Sequence, residues 1–144
     1  MTIEKSKPVL LLGIDLEDVR EQVSGGMNYR DRLETNTQVI LQALEYWGVS
    51  ATFFTVGSVA RRYPSLLRDI ALAGHEIAAH GDTHTQLPKM GPNQMETDLA
   101  RNLDALSVSE FGPVKGFRAP TFSLTQDTQW AYKVLADAGI EYSS

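Results

Sequence analysis

"ATFFTVGSVARRYPSLLRDIALAGHEIAAHGDTH", residues 51–84, decides the fold. It opens on an apolar, β-favouring run at Ala51, continues with Leu66, Leu67, Ile70 and Ala71 at helical spacing, and returns to a strand at Glu76. Pro64 stands where a first helical turn tolerates proline, and Gly74 where a left-handed cap closes the helix. Strand, helix and strand in this order predict a β/α unit with parallel strands and a right-handed crossover. The run ends in His80 and His84, with Asp82 between them.

The pattern extends both ways. "PVLLLGID" (8–15) reads as a buried strand, and "KGFR" (115–118) and "IEYS" (140–143) as two more. Helical faces are expected from Val39, Ile40, Ala43, Leu44 and Trp47, from Met95, Leu99, Leu103 and Leu106, and from Trp130, Ala131, Val134, Leu135 and Ala138. Gly48 and Gly139 are further helix-closing positions, and residues 19–32, with Gly25-Gly26, form a long loop after the first strand. The fold class is α/β with a parallel sheet, so binding residues are expected at the carboxyl ends of the strands. Asp15, Glu17 and Asp18, then His80 to His84, then Arg118 fall there and face one another across one rim.

Composition narrows the chemistry. The 144 residues, 42% hydrophobic and 22% charged, suit one globular domain. A net charge of -5 with Arg61-Arg62 as the only basic pair argues against a phosphate-backbone surface, so nucleic acid is not an expected partner. No cysteine is present, so a metal would be held by imidazole and carboxylate. The amino-terminal apolar run is too short for a signal peptide or a membrane span and leads straight into acids, which gives a cytoplasmic protein as the expectation.

Each cluster has a plain alternative. Acids after a strand often only solvate its exit, and paired histidines can be satisfied core residues. Together on one rim they favour a divalent metal. Strand alternation puts Asp15 and Glu17 on one side, with Asp18 opposite. That pair suits one base and one ligand. Arg118 can pair with a carboxylate and hold its rotamer, and the Thr121 N–H after Pro120 can point at a developing oxyanion. His75, at the other end of its strand, reads as structural. Ser123 lacks a His-Asp relay and is expected in the first turn of the last helix, while Trp47, Trp130 and Phe53-Phe54 are expected in the core.

"GIDLED", "HGDTH" and "FRAP", in this order, resemble the first three motifs of the NodB-type polysaccharide deacetylases, carbohydrate esterase family 4, and residues 51–81 resemble that family's stretch between its first two motifs. The resemblance runs from about Val9 to the carboxyl end. It implies Asp15 as catalytic base, His80 and His84 as metal ligands, Arg118 as the residue that positions the base, and the Thr121 N–H as oxyanion donor. The first motif resembles the D-x-E-D variant of members linked to exopolysaccharide or O-antigen synthesis. It leaves Glu17, favoured by strand geometry, and Asp18 as alternative metal ligands.

The implied fold is a distorted (β/α) barrel of the NodB type, here truncated to about five strands. Residues 1–144 are then one deacetylase domain incomplete at its carboxyl end, with the family's later motifs and their general-acid histidine lying beyond. The implied cofactor is Zn²⁺, with Co²⁺, Ni²⁺ or Fe²⁺ as alternatives, and the implied partner is an N-acetylated glycan or sugar precursor. The implied reaction is hydrolysis of its N-acetyl groups. An open barrel edge invites self-association. Two other readings compete: a non-catalytic metal- or sugar-binding member of the fold, and a receiver-like Mg²⁺-binding α/β domain.

Overall fold

The structure is a computed structural model that describes residues 9–107 and 112–144. The amino-terminal lysines and Pro8 lie outside the described residues. Five parallel strands form one sheet in the order β1-β2-β3-β4-β5: β1 (Gly13–Leu16), β2 (Thr52–Thr55), β3 (Glu76–Ala79), β4 (Gly116–Phe117) and β5 (Tyr142–Ser143). Helices α1 (Leu33–Trp47), α2 (Gly57–Arg62), α3 (Pro64–Leu72), α4 (Pro92–Leu106) and α5 (Ala131–Asp137) connect them. Each strand neighbours the next in sequence, which is barrel winding. A receiver-like sheet has the order 2-1-3-4-5, so that reading falls.

The two faces of the sheet differ. Ile14, Leu16, Phe53, Ile77, Ala79 and Phe117 join the helices in one core with Leu44, Leu66, Ile70, Leu99 and Leu106. On the other face Thr52 and Tyr142 donate hydroxyl hydrogen bonds to Glu76, and Arg118 lies over Phe54. The register aligns Leu16 with Thr55, Thr55 with Ala79, Ala79 with Phe117 and Phe117 with Ser143. Glu17, His80 and Arg118 therefore each stand one residue past the last paired row.

Three expectations are corrected. The first strand begins at Gly13: Val9, Leu10 and Leu11 are exposed and irregular, because pairing with the neighbouring chain starts only at Leu12, whose carbonyl accepts from Thr52 N–H at 2.9 Å. Helix α1 buries Thr37, Leu41 and Leu44 and leaves Val39, Ile40 and Trp47 exposed. Apolar residues cover more than half its circumference, so periodicity allowed two rotations, and docking selected the one centred on Leu41. Ser123 is buried in a turn well before α5, donating to the Pro120 carbonyl and accepting from Leu87 N–H. The glycine caps hold: Gly48, Gly74 and Gly139 all have positive φ.

Candidate metal centre and active site

One ligating atom from each of Glu17, His80 and His84 lies within 4.8 Å of the other two. His84 Nε2 is 2.6 Å from a Glu17 carboxylate oxygen, and the two imidazoles meet edge to face at 5.0 Å between centroids. His80 is 1% exposed, and its Nδ1 lies 2.7 Å from the Arg118 carbonyl. A carbonyl only accepts, so Nδ1 carries the proton and Nε2 keeps its lone pair. That Nε2 is buried with no hydrogen-bond partner. Burial, opposed in part by the bond to the Arg118 carbonyl, pushes the His80 pKa down and favours the neutral imidazole that a metal requires.

These residues fit a divalent ion. Two neutral imidazoles and one carboxylate are a hydrolytic zinc donor set that leaves a position open, and a backbone acceptor on the far ring nitrogen is the usual means of aiming such a histidine.

The supporting shell comes from α4. Asn102, fully buried, accepts from His80 N–H at 3.0 Å and donates to the Thr55 carbonyl at 3.1 Å. Asp98 accepts from Asp82 N–H at 2.8 Å and from the Thr83 hydroxyl at 3.0 Å, pinning the loop between the histidines. His84 itself has φ +55°, a left-handed conformation costing roughly 1–2 kcal/mol in a non-glycine residue. Asp82 turns out of the cluster to Arg61 at 2.7 Å.

Asp15 sits beside the cluster, one carboxylate oxygen 3.7 Å from His80 Nε2 and the other accepting from Arg118 Nη1 at 2.6 Å. Arg118 Cζ lies 4.0 Å above the Phe54 ring, and Nη2 donates to Ser144. Gly13 makes room for this arrangement, since a Cβ there would stand 2.5 Å from Arg118 Nη2. Thr121 and Phe122 follow with φ of +53° and +51°. The turn's hydrogen bonds use the N–H groups of Phe122 and Ser123, not that of Thr121.

Of the two acids left open as ligands, Glu17 is the one in the cluster. Asp18 is buried on the opposite side, where Arg20 and Arg62 hold its carboxylate and lower its pKa to about 2, chiefly through the Arg20 hydrogen bond. Asp15 and Glu17 thus share the open side while Leu16 and Asp18 point inward, as alternation requires. His75 is away from the rim, accepting from Ala51 N–H at 3.3 Å against the Phe53 ring. Sequence reasoning missed Asn102, Asp98, Phe54 and Gly13. Only Asn102 left a trace: a polar residue in the apolar stripe of Met95, Leu99 and Leu106.

The architecture is that of a sequentially wound β/α domain with its chemistry at the carboxyl rim. The family described as polysaccharide deacetylase matches residues 21–143, most of the chain, and the chain belongs to that family. The match begins after β1, so Asp15 and Glu17 are read from geometry. A chitooligosaccharide deacetylase of Sinorhizobium fredii is 33% identical over 85 residues, 58% of this chain and 40% of that protein. A peptidoglycan-N-acetylglucosamine deacetylase of Bacillus cereus is 29% identical over 97 residues, 66% of this chain and 35% of that protein. The chain thus spans two-fifths or less of these relatives.

Among solved structures, a family 4 carbohydrate esterase from Streptomyces lividans in complex with acetate aligns at TM-score 0.71 and 29% identity. The alignment covers 92% of this chain and 60% of that one. A family 4 pseudoenzyme from Bacillus anthracis aligns at TM-score 0.75 and 19% identity, over 96% of this chain and 43% of that one, and shares the fold.

Proposed function

We propose that this chain carries the metal-binding half of a hydrolase that removes N-acetyl groups from a glycan. The observation that carries the reading is His80: a buried imidazole whose Nε2 has no partner and faces Glu17 and His84. Glu17, His80 and His84 would hold the ion, with Zn²⁺ favoured by the donor set. A bound divalent ion would supply Lewis acidity toward the acetamido carbonyl. Asp15, steered by Arg118, takes the proton of the attacking water as its oxygen bonds to the carbonyl carbon. The Thr121 N–H meets the negative charge that develops on the carbonyl oxygen. The carbon–nitrogen bond then breaks as the proton taken up by Asp15 passes to the leaving nitrogen, which frees the amine and acetate. The relatives named above support an N-acetylglucosamine polymer as substrate. The D-x-E-D spacing supports the narrower class of exopolysaccharide or O-antigen precursors.

One observation favours a second reading, binding without turnover. His75, the chain's third histidine, is committed at the amino end of β3, so no further imidazole faces Asp15.

Calorimetric titration of Zn²⁺ into the chain and into His80→Ala, followed by acetate release from chito-oligosaccharides, tests both. One-site binding lost in the variant, with acetate release, is expected. Binding without release selects the second reading, and no binding overturns the metal centre.

A further inference from the structure

The acid that follows the proposed ligand has no place in the reaction, yet it is the most heavily engaged carboxylate in the molecule's described part. Asp18 is 5% exposed. One of its oxygens accepts from Arg62 Nη2 at 2.5 Å and from Arg20 Nη2 at 2.6 Å, and the other from Arg20 Nε at 2.9 Å and from the Arg20 backbone N–H at 3.1 Å. The two guanidiniums reach on: Arg20 to Asp31 and Arg62 to Glu21. Ser58 also donates to Glu21, and Tyr63 donates to Asp31. The loop after β1 is thereby bolted to α2 and to the residue that joins α2 to α3.

We infer that Asp18, gripped by Arg20 and Arg62, is a positioning residue for the metal ligand Glu17. The inference rests on the metal-centre reading above. Glu17 lies between two buried neighbours, Leu16 in the apolar core and Asp18 in the guanidinium clamp. With both flanks fixed, the extended backbone leaves the Glu17 side chain only the opposite direction, toward His84 at 2.6 Å. Glu17 is itself part-exposed, its side chain at 30%, and makes no ion pair with a lysine or arginine of the described residues, so nothing but its backbone and the facing histidine aims it. An ion pair inside the protein can thus do for a carboxylate ligand what a second-shell hydrogen bond does for a histidine.

The test compares Zn²⁺ affinity, by competition with a chromogenic chelator, among wild type, Asp18→Asn, Arg62→Met, the double variant and Arg62→Lys, with far-UV circular dichroism confirming the folded state. Asp18→Asn keeps an acceptor for the Arg20 N–H but removes the charge. Each single variant is expected to weaken Zn²⁺ binding about 10- to 100-fold, the range for lost outer-shell partners. The double variant should be no weaker than the worse single, and Arg62→Lys should restore most of the affinity.

If Asp18 were itself a ligand, Asp18→Asn would weaken binding while Arg62→Met, by freeing the carboxylate, would leave it unchanged or tighten it. That result overturns the inference. So does a fall in melting temperature with wild-type Zn²⁺ affinity, which marks a merely structural clamp. Should Asp18→Asn fail to fold, the Arg62→Met and Arg62→Lys pair gives the same decision. Wild type that binds no Zn²⁺ would overturn the metal centre itself, and with it this inference, and is distinct from the other results.

Discussion

At the scale of the residue, the proposed reaction divides the site into groups that would touch the substrate and groups that aim them. Asp15→Asn keeps the hydrogen bond to Arg118 but removes the base. Acetate release is expected to fall about 10²- to 10⁴-fold with Zn²⁺ affinity unchanged, as calorimetry on the same samples would show. Gly13→Ala should act on the same group indirectly, because its Cβ displaces the Arg118 guanidinium from Asp15. A fall in turnover rate without a change in chelator-competition affinity is the expected signature. Asn102→Ala strips a fully buried bridge and leaves the Thr55 carbonyl without that donor. A loss of about 1–3 kcal/mol in urea unfolding is expected.

The rim motifs were legible in the sequence because each is local: "IDLED", "HGDTH" and "FRAP" carry their chemistry within a few residues. Asn102 and Gly13 were not, because their meaning is a contact with distant chain. A glycine that clears space for an arginine 105 positions later has no local signature.

At the scale of the element, alternation along β1 was readable and separated Glu17 from Asp18, but the identity of Asp18's partners was not. Its depressed pKa sets a pH dependence. Asp18 contributes stability that is present above its unfolded value of 3.8 and lost as pH falls through about 2. The shift corresponds to about 2 kcal/mol. Asp18→Asn should therefore destabilise the protein clearly at pH 7 and little at pH 2, in thermal melts at both. The rotation of α1 was ambiguous for a related reason. Val39, Ile40, Leu41 and Leu44 are all apolar, and only docking against the sheet decides which of them turn inward. Strands β4 and β5 pair over two residues each, too few for their limits to be visible in a pattern.

At the scale of the molecule, the proposed ligands come from the end of β1 and from the rim and loop after β3, while β2 lies between and supplies none of them. A metal bound there would tie the first and third units of the sheet together. Zn²⁺ at a hundredfold excess over its dissociation constant is expected to stabilise the fold by about 2.7 kcal/mol, or roughly 5–11 °C in melting temperature. A chelator or His80→Ala should abolish the increment in a thermal scan.

Arg118 carries one further consequence. Its carbonyl fixes the ring of His80 and its guanidinium fixes the carboxylate of Asp15, so a single residue just past β4 references both partners. Asp15 stands on β1 and His80 just past β3, with β2 between them, so Arg118 spans the gap across the rim and a change at this one residue would disturb both groups at once.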